Sequence, residues 1–338
     1  DWSSDVCSSD LGIKTATGNL SVANNLQCDN GVTFNAGNNT HFIKGDWTDN
    51  GSFTTDNSLI IFSKNGNQSI TESKFNNIQF SNNGTKTLSQ KVAVNGNVQI
   101  DSNVTVDFGN FNDTVAGNWT NNGAIQSGAN ITLTGNSATM SGNFVSRFST
   151  LTILGNVSAS TSIQIDAGLV VSSTASFIQT SGTSTFVGTT TFKGTGDVFN
   201  ITIANGNSLQ LLSNATLNIG GTISLLGTID AVSNSPTNIE YNGTTNQPVA
   251  SMTYDNISFT NGGTKTAVGN IVVNSDFYIA STTTFDDGGF SISPHINILN
   301  EGEYTGSGTV SFVNNTTMSG SGLFDMNNIT FQIGRAHV

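Results

Sequence analysis

Charge is the scarcest commodity in this sequence. Only 9% of the 338 residues are Asp, Glu, Lys or Arg, against about 25% in an average globular chain. The balance is acidic, with 22 acids, 10 bases and a net charge of -12. That argues against nucleic acid, whose phosphates require basic patches. Cysteine occurs twice and histidine three times, too few for a disulfide framework or a thiolate metal cluster. There is no apolar run long enough to form a transmembrane helix. Three prolines suit a chain whose backbone N–H groups are mostly committed to strand ladders.

What fills the gap is Asn, Thr, Ser and Gly, with Asn alone about one residue in seven. Short polar side chains compete for backbone hydrogen bonds and Gly costs entropy in a helix. The apolar residues include many Val, Ile and Phe, which with Thr suit a pleated surface. At 35% hydrophobic the chain is too apolar to be disordered, so the expectation is all-β with polar turns.

The ends lack this texture. Asp1 to Leu11 (DWSSDVCSSDL) and Ile333 to Val338 (IGRAHV) resemble translated sequencing-adapter DNA. IGRAHV, for example, is encoded by ATC GGA AGA GCA CAC GTC. Residues 1–11 and 333–338 are therefore set aside as foreign, and 12–332 is read as one repeat region cut from something longer. Without Asp1, Asp5, Asp10 and Arg335, 19 acids (22 less 3) and 9 bases (10 less 1) remain. Cys28 is then the sole cysteine, read as a small core residue.

Internal repetition is the strongest signal. One segment recurs as FNNIQF at Phe75, RFSTLTI at Arg147, VFNITI at Val198, YDNISF at Tyr254 and MNNITF at Met326. Its central aliphatics, Ile78, Leu151, Ile201, Ile257 and Ile329, follow one another at spacings of 73, 50, 56 and 72. A Gly-x-Lys-Thr segment stands at Gly12, Gly84 and Gly263, and GDWTDNG at Gly45 is echoed by GNWTNNG at Gly117. Gly12 to Gly84 and Trp47 to Trp119 share the spacing of 72. A globular domain cannot lose a quarter of itself and still repeat, whereas a solenoid can drop a coil. These spacings predict a single-stranded parallel β-helix with coils of about 18 residues, four in a long unit and three in a short one; a right-handed coil is expected, although spacing does not set the hand. Alternating pairs such as Leu209/Leu211 and Leu217/Ile219 supply an inward and an outward face. Asn side chains would bond along the stack as ladders, and Gly would turn the corners. At about 4.8 Å per strand, 17 or 18 coils would make a monomeric rod about 85 Å long. The alternative, a string of immunoglobulin-like sandwiches, is poorly served by the short spacings of 50 and 56.

Nearly the whole interior resembles the β-strand repeat segments of giant bacterial surface and secreted proteins. It is similar to filamentous-haemagglutinin and autotransporter-type β-helices, and the GNWTNNG repeat to those of Bacteroidota envelope proteins. The resemblance implies a secreted or cell-surface location and a structural or adhesive stalk. Its partners would be host or environmental glycans or proteins, bound by parts of the molecule outside this chain.

Candidate sites are each weighed against a plainer role. Trp47 and Trp119 could be sugar platforms, but the row Ile43-Gly45-Trp47 aligns with Val115-Gly117-Trp119 and with Pro294-Ile296-Ile298. Ile296 would regain the volume lost where Trp becomes Ile298, as in a packed interior. Trp47, Trp119, Ile298 and the five repeat aliphatics are therefore the expected core. Asp286/Asp287 and Glu301/Glu303 are the closest carboxylate pairs for acid–base work. With Arg147 the sole interior arginine, they are expected to be solvated corners, and the alternative reading, a carbohydrate-binding or carbohydrate-active β-helix, is secondary. Calcium at Asp46/Asp49 or Asp286/Asp287 lacks the usual glycine-rich nonapeptide. His41 and His295 stand apart, which disfavours zinc. The threonine runs 189–191 and 282–284 are too sporadic for an ice-binding face. No catalytic residue, cofactor or metal is expected.

Overall fold

The computed structural model describes residues 12–331 except 73, 127 and 314, so the end segments 1–11 and 333–338 lie outside the described residues. Every described element is a strand, and the strands pair in parallel as a β-solenoid of about sixteen turns. Two compact units are present. One runs to Asp166 and takes in Thr174–Ser176; the other comprises Ala167–Ser173 and the chain from Phe177 on.

Each coil has three faces, numbered here in chain order. In the first unit one coil consists of Val98–Ile100, Val104–Asp107 and Asn112–Val115. In the second, one consists of Asn256–Phe259, Gly263–Ala267 and Ile271–Val273. Short strands separated by corners leave each face alternating, with every second side chain inside. Period-two alternation in the sequence becomes inside and outside here because a strand has no other way to orient successive side chains.

The registers set the coil length. Ile60 pairs with Ile78, an offset of 18, whereas Val98 pairs with Trp119, an offset of 21, and Leu217 with Ile239, an offset of 22. With Ser184 pairing Ile201 at an offset of 17, the expected 18 is thus near the short end of a range that centres near 20. The error came from assuming that a repeat contains whole coils. Trp47 lies on the second face, paired with Leu26 and Ile70, whereas Trp119 lies on the first, paired with Val98 and Met140. Eleven strands, three and two-thirds coils, separate them. The short step from Ile201 to Ile257 spans eight strands and the long one from Ile257 to Ile329 spans eleven. The difference is three strands, one coil, but no unit contains an integral number of coils. The repeated segment therefore moves from face to face: first at Ile78, third at Leu151, second at Ile201, first at Ile257 and third at Ile329. An offset of 179 returns each position to the same face, as from Ile78 to Ile257 or Gly84 to Gly263.

Asparagine ladders take a mixed form. Asn77 Oδ1 accepts the Asn97 N–H (2.9 Å), Asn97 Oδ1 the Asn118 N–H (2.8 Å), and Asn118 Oδ1 the Thr139 N–H (2.9 Å). Corner N–H groups that face no strand partner are satisfied by the coil below, at the exposed edge of the stack. Asn25 toward Asp46, Asn200 toward Thr222 and Asn270 toward Ser291 repeat the arrangement.

Candidate functional site

Seven of the eight expected core residues lie inside. Trp47, Trp119, Ile298, Ile78, Leu151, Ile201 and Ile257 are buried. Trp47 packs edge-on to Phe53 and Phe75, at 4.9 and 5.9 Å between ring centroids. Trp119 lies 5.5 Å from both Phe108 and Phe148, and its indole N–H donates to Ser146 Oγ at 3.0 Å. Ile329 is the exception, 47% exposed. It lies in Asn328–Phe331, the last described strand, which pairs on one edge only and is exposed throughout.

Ile296 does not make up for the missing indole, contrary to expectation. Its side chain is 45% exposed at a corner, so it fills nothing inside. The aligned Gly117 serves a different need. A Cβ there would overlap the Gly96 carbonyl carbon in the coil below, so glycine permits the close approach of two backbones.

Two buried lysines escaped the sequence reading. Lys86 and Lys265, at matched places in the two GTKT segments, are both fully enclosed. Lys265 Nζ donates to the carbonyls of Gly243 and Thr245 (2.5 and 3.2 Å) and to Gln247 Oε1 (2.7 Å). Lys86 Nζ donates to the carbonyls of Lys64 and Gly66 at 2.5 and 3.0 Å. Burial lowers both amines to about 8. Below each stands a buried glutamine. Gln68 Nε2 holds the Ile43 and Gly45 carbonyls, and Gln247 Nε2 those of Ile219 and Gly221. Each Gln–Lys pair thus clamps two successive corners through their carbonyls, of which those of Ile43 and Ile219 also accept a backbone N–H, from Ser63 and Asn242. The signal was parity, since Lys86 alternates in step with Leu88, and Lys265 with Ala267.

The acidic candidates separate. Glu301 and Glu303 are partly exposed, as expected of corners; Glu301 accepts from Ser321 and Glu303 from Thr284. Asp286 is also partly exposed, accepting the Gly288 N–H, but Asp287 is fully buried, so it is no solvated corner. In the first unit Asp113 is buried, accepting the Val92 N–H at 2.6 Å. Burial raises its carboxyl to about 6, with the Val92 bond and Lys91 opposing. Asp46 pairs with Lys64 at 2.7 Å and also accepts the Ser69 N–H, which together hold its carboxyl below the usual range against the desolvation that raises it. Arg147 pairs with Asp166 at 2.8 Å.

His41 is buried and serves the backbone. Its Nδ1 accepts from the Leu20 N–H (3.2 Å) and its Nε2 faces the Ala36 carbonyl (2.8 Å), which together define a neutral tautomer. His295 sits at a corner, partly exposed. The Cys28 thiol is buried, and burial and then Asp49 push it up to about 11, too high for a reactive thiolate. In the threonine runs Thr190 and Thr283 turn inward. Among the described residues no three His, Cys, Asp or Glu side chains could together hold a metal ion, and no helix is long and apolar enough to cross a membrane.

An open polar trough on the first unit is lined by Asp46, Lys64, Ser69, Thr87, Asp107 and Gln126 among others. Ser69, Thr87 and Asp107 stand in register on successive coils of the second face. The trough has hydroxyl and carboxylate groups but no aromatic ring. No family model, no curated protein and no solved structure matches the chain.

Proposed function

We propose that this chain is a structural spacer, a stalk segment of a larger secreted or cell-surface protein, that performs no catalysis. The observation that supports it most is where the chemistry-bearing side chains are spent. Both buried lysines, the buried glutamines and the ladder asparagines are consumed in tying one coil to the next. Of the carboxylate pairs singled out in the sequence, Glu301/Glu303 is partly exposed and Asp286/Asp287 is split between surface and interior, and the arginine is paired. A side chain fixed by the stack in this way is a joint, and joints are what a spacer needs.

A second reading, carbohydrate binding, is favoured by the polar trough alone. A glycan array probed with the whole chain separates the two, together with a polysaccharide panel assayed for new reducing ends or unsaturated uronates. The spacer reading expects neither binding nor cleavage. Binding abolished by Asp107→Ala or Thr87→Ala would replace it with a lectin role for the trough, and cleavage would replace it with an enzyme.

A further inference from the structure

Asparagine is a thermolabile residue, and its side-chain amide is most open to attack where glycine follows, because no Cβ hinders the glycine nitrogen. The sequence has nine such pairs, beginning at Asn30, Asn50, Asn65, Asn83, Asn95, Asn122, Asn205, Asn242 and Asn261. The stack engages most of them. Gly51 donates its N–H to Asp49 Oδ1 (2.9 Å), Gly66 to Asn83 Oδ1 (2.7 Å) and Gly96 to the Asn76 carbonyl (2.7 Å). Gly123 donates to Asn121 Oδ1 (3.1 Å), Gly243 to Gln247 Oε1 (2.8 Å) and Gly262 to Thr283 Oγ1 (3.0 Å). Gly84 opens a paired strand, a Cβ there would overlap the Gly66 backbone, and the Asn83 side chain is already spent on Gly66.

Two pairs differ. Asn30-Gly31 in the first unit and Asn205-Gly206 in the second are exposed. Each forms the centre of a turn closed by one bond, from the Val32 N–H to the Asp29 carbonyl and from the Asn207 N–H to the Ala204 carbonyl, both 3.1 Å. Among the described residues neither asparagine side chain and neither glycine N–H has a hydrogen-bond partner. Around Gly206 there is open space where a Cβ would stand. The glycine nitrogen and the amide carbon are thus free to meet at these two corners, whereas at the others the N–H is held or the backbone is wedged against the coil below.

We propose that Asn30 and Asn205 are the sites of spontaneous deamidation in this chain, with water as the only co-reactant, and that the stack protects the other seven. The glycine nitrogen bonds to the asparagine Cγ, the Cγ–Nδ2 bond breaks, and ammonia leaves with the glycine proton. Water then opens the succinimide at one of its two carbonyls, which gives aspartate or isoaspartate and one new carboxylate. Isoaspartate lengthens the turn by one backbone carbon, and neither asparagine side chain carries a ladder bond that this would break.

The test incubates the whole chain in warm, mildly alkaline buffer and follows all nine pairs by peptide mapping, with electron-transfer fragmentation to tell isoaspartate from aspartate. Amide loss at Asn30 and Asn205 should run about tenfold faster than at the other seven, a barrier difference of about 1.4 kcal/mol. In urea, with the fold gone, all nine should convert at similar rates. Equal rates in the folded chain would overturn the proposal. So would the same two positions leading in urea, which would make neighbouring residues, not the fold, the cause.

Discussion

The two units are built to one plan and filled differently. At matched positions the first has Phe62 and Phe75, whose rings meet edge to face at 5.7 Å, and the second has Tyr241 and Tyr254. The added hydroxyls bond each other at 2.8 Å. Tyr241 accepts from the Ala250 N–H and Tyr254 donates to the Ala250 carbonyl. Their burial raises both phenols, Tyr241 to about 12. Trp119 corresponds to Ile298, and the polar Asp113 to the apolar Ile292, with every one of them inside. What stays fixed is the corner chemistry. Asn121 and Asn300 are both buried. Each accepts the N–H two residues on, from Gly123 or Gly302, and donates to a carbonyl of the next coil, Val145 or Leu323. The core is therefore negotiable provided that parity and corner bonds are kept, even where, as from Trp119 to Ile298, the side-chain volume is not.

The comparison is broken most severely at Trp119. Trp119→Ala should cost about 3–5 kcal/mol in urea unfolding, the usual loss on emptying an aromatic core site. Trp119→Ile, which copies Ile298, should cost visibly less. Adding Gly117→Ile to it should worsen stability again, because the new Cβ meets the Gly96 backbone. Recovery in the double variant would show that a side chain at that corner does fill interior volume.

Lys265→Met should cost about 2–3 kcal/mol, since it strands the carbonyls of Gly243 and Thr245 and Gln247 Oε1. The pH dependence has a definite sign. The folded amine titrates at about 8, below its ordinary 10.5, so between those values the unfolded chain binds more protons and stability rises with pH. Lys265→Met should flatten that rise; an unchanged slope would show that the amine is not enclosed.

Asp113→Ile imports the second unit's solution into the first. The Asp113 carboxyl is raised from 3.8 to about 6, so the stability present below pH 4 is lost as pH climbs through 6. The variant strands the Val92 N–H at either pH, so it should lose about 1 kcal/mol at pH 4 and gain about 2 kcal/mol at pH 7, scored by chemical denaturation at both. Equal effects at the two pH values would refute a buried ionisable carboxyl.

The smallest effect is at the corner where Asn103 (φ 67°) corresponds to Thr282 (φ 68°). Asn tolerates this left-handed backbone and a β-branched residue does not. Thr282→Asn should raise stability by about 0.5–1 kcal/mol, and Asn103→Thr should lower it by a similar amount, both visible as shifts in the unfolding midpoint.

The sequence discloses most of this fold because one property, alternation, carries it. Leu209/Leu211 and Leu217/Ile219 announce inside and outside by themselves, and the dropped coil is visible in the spacing of Ile201 and Ile257. Coil length was hidden because the repeat from Trp47 to Trp119 advances by eleven strands and never returns to the same face. Only the weaker correspondence at an offset of 179 does so. The candidate site was harder to see, because residue type overrode position. Asp287 alternates in step with buried Phe285, and Asp113 with buried Val115. Both were still read as surface groups or passed over, since isolated carboxylates usually are.

The most direct test of the three-faced coil is excision. Val98–Asn118 is one whole coil by the Val98–Trp119 register. Its removal joins Gly96-Asn97 to Trp119, recreating the Gly-Asn-Trp corner that Gly117 and Asn118 make now. Circular dichroism should retain the β signal, with a single cooperative thermal transition within about 10 °C of the parent. Removing only Val98–Val115, the length first expected of a coil, leaves Ala116, Gly117 and Asn118 as surplus at that corner, and should cause a much larger loss. If the shorter deletion were the better tolerated of the two, the coil length and the three-faced register would both be wrong.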